Sequence, residues 1–90
     1  MTVCQFEKYN EILKLFEYCK NIGIQCELTR HCGGYHIRFK SGGDVIQHDY
    51  SYGNTDGCVE FCIGSKVDFT AVPLKRAKII IRKNKEKLNG

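Results

Sequence analysis

Residues 24–40, with the sequence IQCELTRHCGGYHIRFK, decide the fold. On both sides of Cys32-Gly33-Gly34, apolar residues alternate with polar ones, which is typical of strands that each bury one face. The two glycines suit a tight turn, so the segment predicts a β-hairpin with a slightly long turn. The apolar face of this hairpin consists of Ile24, Cys26, Leu28, Tyr35, Ile37 and Phe39.

Two further strands are predicted after the hairpin. Residues 45–52 alternate again, and residues 58–63 form a shorter alternating run. The turn segments SGGD (41–44) and GNTDG (53–57) precede them, whereas residues 64–72 show no regular pattern. The predicted apolar sides are Ile46, His48, Tyr50 and Tyr52 in the third strand and Val59, Phe61 and Ile63 in the fourth.

Two amphipathic helices flank these strands. In residues 5–21, apolar side chains recur at three- and four-residue steps, which aligns them on one side of an α-helix. A second helix is predicted from about residue 73 to residue 88, because Pro73 is accepted in a first helical turn. The first stripe is Phe6, Tyr9, Ile12, Leu13, Phe16 and Cys19. The second stripe is Leu74, Ala77, Ile81 and Leu88.

The order of elements predicts an α+β fold. Two amphipathic helices and a sheet with one apolar face satisfy each other when both helices pack on that face. We therefore expect a two-layer sandwich of order α-β-β-β-(β)-α, with an antiparallel sheet of three to four strands and both helices on one face. The open face is expected to carry Gln25, Glu27, Thr29, His36, Arg38, Lys40, Gln47 and Asp49.

Length and composition narrow the class of protein. A chain of 90 residues builds one core, so we expect a single domain over residues 1–90. No apolar run approaches the ~20 residues of a transmembrane helix, and the first residues lack a secretory signal. We therefore expect a cytoplasmic protein without membrane contact. In that reducing compartment the six cysteines are expected to be free and mostly buried thiols.

Candidate catalytic residues are present, but no motif surrounds them. Cys32 follows His31, and other possible partners occur at His36, His48 and Asp49. Nucleophilic catalysis requires such groups to meet in one pocket with an orienting partner. Because no spacing indicates this arrangement, the sequence predicts a non-enzymatic protein with no catalytic residues and no cofactor.

A zinc site is an alternative use of the thiols and imidazoles. The candidate ligands are His31, Cys32, His36, Cys58 and Cys62. Structural zinc sites favour closely spaced cysteine pairs in tight turns. Cys58 and Cys62 instead lie on a predicted strand, where a rise of ~3.3 Å per residue separates them by ~13 Å. The sequence therefore predicts no metal site.

Positive charge is concentrated in the C-terminal helix, although the net charge of the chain is only +4. Glu86 is the only carboxylate in this run. Such a cluster neutralises phosphates or pairs with acidic protein surfaces, and it predicts an anionic partner. The basic residues are Lys75, Arg76, Lys78, Arg82, Lys83, Lys85 and Lys87.

The run Lys75-Arg76-Ala77-Lys78, placed after a helix and three strands, resembles the start of the last helix in double-stranded RNA-binding domains. The resemblance implies that Lys75, Arg76 and Lys78 contact phosphates across the RNA major groove. It also implies that the first helix and residues 31–34 contact minor grooves, with recognition by shape. The chain departs from that family because residues 53–72 intervene before the last helix, and because residues 79–81 are isoleucines rather than alanines.

A second resemblance covers the C-terminal half. The segments IQHDYSYG (46–53), GCVEF (57–61) and DFTAV (68–72) are similar in character to small accessory proteins of bacteriophages and prophages. Proteins of this kind, anti-CRISPR proteins among them, commonly inhibit host machinery by covering a surface. The resemblance implies a location in the host cytoplasm, and it carries over no individual residue because such inhibitors share no motif.

Two functional hypotheses follow. The first is a phage-derived binding module that occludes a host protein or ribonucleoprotein, such as a CRISPR effector or another defence component. The alternative is an RNA- or DNA-binding domain that uses the basic helix. The expected partner-binding residues are Arg38, Lys40, Tyr50, Tyr52, Lys75, Arg76, Lys78 and Arg82.

Overall fold

The computed structural model describes residues 9–62 and 69–90. Between its strands it contains a short 3-10 helix at Asn54–Asp56. The helices and strands are α1 (Glu11–Asn21), β1 (Cys26–His31), β2 (Gly34–Phe39), β3 (Asp44–Gln47), β4 (Cys58–Cys62), β5 (Phe69–Pro73), α2 (Leu74–Lys83) and α3 (Lys85–Asn89).

The five strands form one sheet in the order β1-β2-β3-β4-β5, and every neighbouring pair is antiparallel. This meander confirms the predicted α+β class. The predicted count of three to four strands is wrong because residues 69–72, in a stretch without a regular pattern, belong to β5. The predicted strand position Ile63 and residues 64–68 lie outside the described residues.

A β-bulge explains why the pattern of residues 69–72 did not predict β5. Val59 pairs with Val72, whereas Phe61 pairs with Phe69, so β5 carries one more residue than β4 over this stretch. Ala71 takes up the extra residue in a left-handed conformation, with φ of 52°. A bulge interrupts the two-residue alternation by which a strand is recognised.

The third strand is shorter than predicted and faces the other way. It ends at Gln47, and Val45 and Gln47 are fully buried while Ile46 lies on the opposite face. The predicted exposure of Gln47 is therefore wrong. The prediction assigned polar Gln47 to the solvent side, which reversed the two faces of the strand. Gln47 is buried because its side-chain amide forms hydrogen bonds with the start of α1.

Both long helices pack on the same face of the sheet, as predicted. Ile12, Leu15 and Cys19 of α1 and Ala77 and Ile81 of α2 are fully buried. They enclose the apolar sheet residues Ile37, Phe39, Val45, Val59, Phe61 and Val72.

Both predicted helices need correction at their ends. In the described residues α1 begins at Glu11, and residues 5–8 of the predicted helix lie outside them. The predicted C-terminal helix is divided at Asn84 into α2 and α3. The Asn84 side chain donates a hydrogen bond to the Ile80 carbonyl at 2.7 Å, and this local bond competes with continuation of the helix.

One end of the sheet collects several loops and helix starts. The Asp49 amide donates to the Cys32 carbonyl at 3.0 Å, and Cys58 pairs with Pro73, immediately before α2. We call this the hairpin end, defined by the β1–β2 turn, residues 48–57 and the first turns of α1 and α2. Gly34 is required here, since a Cβ would lie 2.1 Å from the Gln47 carbonyl oxygen. Within the described residues, no helix is long and apolar enough to cross a bilayer.

Candidate functional site

The basic face consists of exposed cations on α2 and α3. Because α2 turns Ala77, Ile80 and Ile81 toward the core, its Lys and Arg side chains other than Lys78 are exposed to solvent. None of them pairs with a carboxylate of residues 9–62 or 69–90. The members of the basic face are Lys75, Arg76, Arg82, Lys83, Lys85 and Lys87.

Lys78 differs from the other predicted contact residues of α2. It is half-buried, and its Nζ lies 5.4 Å from the centre of the Tyr18 ring. A cation over an aromatic face is attracted by the ring quadrupole. Lys78 therefore joins α2 to α1 as well as adding charge to this side of the molecule.

Arg38 and Lys40 are not on α2, although Ser41, next to Lys40, donates its amide to the Leu88 carbonyl of α3 at 3.2 Å. Arg38 is exposed on the open side of the sheet, where its register partners are Glu27 and Asp44. Lys40 is exposed in the turn after β2. The two cations share a groove of about 570 Å³ with Lys20 and Glu27. The structure thus separates these two predicted contact residues from those of α2.

Tyr50 and Tyr52 project from a loop at the hairpin end, and not from a strand as predicted. Their exposed fractions are 81% and 69%. The loop is held by Ser51, which donates from its amide and its hydroxyl to the His48 carbonyl at 3.1 and 3.0 Å. Aromatic side chains this exposed are available to a partner without any rearrangement of the core.

A second cluster lies at the hairpin end on the open side of the sheet. His31, Cys32 and His48 each offer a ligand atom, and these atoms all lie within 4.8 Å of one another. The His31 ring centre is 5.1 Å from that of His48 and 6.0 Å from that of His36. We call His31, Cys32 and His48 the histidine–cysteine cluster.

The backbone at Cys32 is in an uncommon conformation. Cys32 and Gly33 have φ of 46° and 79°, a pair of positive values typical of a two-residue type I′ turn. Asn, Asp or Gly are preferred there, and another residue costs about 1–2 kcal/mol. The conformation places Cys32 beside the last residue of β1.

His48 is largely buried and is oriented by its own loop. Its Nδ1 accepts a hydrogen bond from the Tyr50 amide at 3.1 Å, and its carbonyl accepts one from Asn54 at 2.7 Å. Burial, followed by the neighbouring His31 ring, lowers the pKa of His48. The hydrogen bond that Nδ1 accepts requires this nitrogen to be unprotonated.

His36 and Asp49 stand beside the cluster with partners of their own. Nε2 of His36 lies 2.9 Å from Oδ2 of Asp44, and Oδ1 of Asp49 accepts a hydrogen bond from the Tyr9 hydroxyl at 2.6 Å. Of the residues considered for nucleophilic catalysis, the structure gathers His31, Cys32 and His48 most closely. Asp49 lies near His48, and its negative charge partly opposes the lowering of the His48 pKa.

The other described cysteines lie outside the histidine–cysteine cluster. Cys58 and Cys62 stand at opposite ends of β4 and are not part of the cluster. Burial raises the pKa of Cys19 to about 12, and burial also raises that of Cys26. Burial, then the carboxylates of Asp56 and Glu11, raise the pKa of Cys58. None of the five described cysteines is in a disulfide bond, but only Cys19 is buried, so the expectation that most thiols are buried is wrong for this part of the chain.

The cluster differs from the predicted set of possible zinc ligands. His48 is in it, and His36, Cys58 and Cys62 are not. Sequence spacing gave no signal for His48, because its approach to His31 depends on β2 pairing with both β1 and β3. A comparison with protein-family models, with curated proteins and with solved structures found no significant match to this chain.

Proposed function

We propose that this protein is a non-enzymatic binding module that occludes a host protein or ribonucleoprotein through the basic face. The resemblance to phage accessory proteins suggests a phage-encoded inhibitor acting in the host cytoplasm, with a CRISPR effector or another defence component as its target. The observation that carries the proposal is the row of exposed cations on α2 and α3 without a carboxylate partner in the described residues.

Unpaired charge on this scale favours an acidic partner. Ion pairs within a protein surface would already neutralise the cations, whereas a free row creates a positive potential that steers an anionic surface toward it. The packing of α2 against the core also supports the proposal. Ala77 and Ile81 are fully buried, so the helix presents its charges from a fixed position.

Exposed apolar groups supply candidate anchors. Ile79 projects from α2 with 49% of its surface exposed, and Tyr50 and Tyr52 project from the hairpin end, where α2 begins. Protein interfaces draw most of their energy from a few aromatic and Arg side chains surrounded by weaker polar contacts. Arg76, Tyr50 and Tyr52 are the residues that we expect to serve as anchors.

Nucleic acid is the alternative partner for the same surface. The density of cations on α2 and α3 favours it, because each Lys or Arg can neutralise one phosphate. The open sheet face adds little to this alternative, since Arg38 faces the carboxylates of Glu27 and Asp44 across neighbouring strands. β4 and β5 also separate the third strand from α2, unlike the three-strand order of double-stranded RNA-binding domains.

The test is capture of partners from a bacterial lysate on the immobilised full chain, with and without nuclease. We expect a discrete protein or ribonucleoprotein to be retained after nuclease treatment. Arg76→Glu and Lys75→Glu together should abolish retention, because both side chains are exposed on the basic face. Tyr50→Ala with Tyr52→Ala should weaken it.

Lys20→Glu is the matched charge-reversal control. Lys20 is exposed on α1, is not a member of the basic face and lines the groove near β1 and β2. Its substitution should leave retention unchanged. Retention that disappears with nuclease would favour the nucleic-acid alternative, and equal loss in the Lys20 and Arg76 variants would contradict a specific role for the basic face.

A further inference from the structure

We propose that His31, Cys32 and His48 bind one divalent transition-metal ion, with Zn²⁺ as the best chemical match. Their ligand atoms all lie within 4.8 Å of one another. A tetrahedral ion at ~2.0–2.3 Å from each ligand separates the ligand atoms by roughly 3.3–3.8 Å. Side-chain movements of about 1 Å therefore close the site around an ion.

The donor set selects the class of metal. One thiolate and two imidazoles are borderline to soft ligands that suit Zn²⁺ and Co²⁺, whereas Mg²⁺ and Ca²⁺ require oxygen ligands. His31 and Cys32 are exposed, so an ion can enter from solvent. The cluster contributes three protein ligands and leaves the fourth position to solvent.

The fold holds the three ligands together from separate elements. His31 ends β1, Cys32 occupies the turn, and His48 follows β3 directly. The Asp49 amide ties the two segments together by donating to the Cys32 carbonyl at 3.0 Å. The left-handed conformation of Cys32 is unfavourable for cysteine, and a ligand role gives a reason for cysteine to occupy this position.

Metal binding competes with one hydrogen bond. The Tyr50 amide donates to Nδ1 of His48 at 3.1 Å, so in the neutral ring Nε2 carries the proton. A metal on Nε2 moves that proton to Nδ1, and a metal on Nδ1 replaces the amide directly. In both cases the Tyr50 amide loses its acceptor, and the Tyr50 environment reports on occupancy of this site.

His36 is a neighbour of the site rather than a member. Its Nε2 lies 2.9 Å from Oδ2 of Asp44, and its ring centre lies 6.0 Å from that of His31. The proposal therefore predicts a smaller effect for His36→Gln than for substitution of His31 or Cys32.

The experiment is a titration of the reduced, metal-free full chain with Co²⁺, followed by displacement with Zn²⁺. We expect one equivalent of Co²⁺ to give the thiolate charge-transfer absorption of a tetrahedral site, and Zn²⁺ to abolish it. In ¹⁵N-edited NMR spectra with Zn²⁺, the Tyr50 amide should be among the resonances that shift most. These readouts require no knowledge of the protein's partner.

Cys32→Asn is the decisive variant. It removes the thiolate and creates the Asn-Gly pair that a type I′ turn prefers, so the fold should be retained. Metal affinity should fall by more than about 100-fold, because loss of a mere hydrogen-bonding neighbour of a ligand already costs about 10- to 100-fold. His31→Gln, at another exposed position, should show the same loss.

Cys58→Ser is the matched control, since Cys58 is a free thiol outside the cluster. It should retain the cobalt spectrum. The proposal is overturned if the native chain gives no thiolate–cobalt absorption at one equivalent. It is equally overturned if Cys32→Asn keeps that absorption, or if Cys58→Ser removes it.

Discussion

At the scale of single residues, Gln47 joins the sheet to the first helix. Its Oε1 accepts a hydrogen bond from the Ile12 amide, and its Nε2 donates to Oε1 of Glu11, both at 2.9 Å. The first amides of a helix have no acceptor within the helix itself. The Gln47 side chain of β3 supplies the acceptor for one of these amides, that of Ile12. This hydrogen bond explains why a polar residue is buried in the core.

Gln47→Leu should lower the free energy of unfolding by about 1–3 kcal/mol, because a buried amide loses its partner. Chemical denaturation followed by circular dichroism measures the change. Gln25→Leu, at an exposed position, should alter stability by less than about 0.5 kcal/mol. Equal stability of the native chain and the Gln47 variant would contradict the capping role.

At the scale of the element, α2 is an amphipathic helix with an apolar side in the core and a cationic side in solvent. Its buried side consists of Ala77, Ile80 and Ile81, and its outer side carries the basic face. The run of isoleucines at residues 79–81 crosses the boundary between them, because successive helical residues are turned by about 100°. Ile81 is fully buried, whereas 49% of Ile79 is exposed.

This difference in burial predicts unequal losses of stability when each of the two isoleucines is replaced by alanine. Ile81→Ala should lower the free energy of unfolding by about 2–5 kcal/mol, since it leaves a cavity in the core. Ile79→Ala should change it by less than about 0.5 kcal/mol. Urea denaturation measures the stability of both variants. Similar losses of stability in the two would contradict the orientation of α2 that places Ile81 in the core and Ile79 at the surface.

At the scale of the whole molecule, the candidate contact residues lie on different sides. The helical layer carries the basic face, and the open side of the sheet carries Arg38 and the histidine–cysteine cluster. The proposed partner interface approaches the proposed metal site at Tyr50, whose ring centre lies 6.2 Å from that of His48. Substitution of Lys75 and Arg76 on α2 therefore separates the two proposals, whereas substitution of Tyr50 affects both.

Salt dependence distinguishes the two partner classes for the molecule as a whole. For an anchored protein interface, raising salt from about 50 to 200 mM should weaken binding less than about tenfold. For six to ten phosphate contacts the same change costs about 10³- to 10⁵-fold. The measurement is equilibrium binding of the captured partner at several salt concentrations, and a steep log-linear decline would favour the nucleic-acid alternative.

The amino-acid sequence by itself determined the α+β class, the β1–β2 hairpin, the amphipathic character of α1 and α2, and the exposure of Lys75, Arg76 and Arg82. These features depend on local periodicity and turn chemistry, which neighbouring residues specify. Only the tertiary structure decided the fifth strand, the burial of Gln47 and the meeting of His48 with His31 and Cys32. Each of these depends on a contact between distant segments: a bulge paired with β4, a helix start beside β3, and the register of β2 between β1 and β3. Sequence spacing does not predict such contacts, because they depend on strand pairing and packing that form only in the folded sheet.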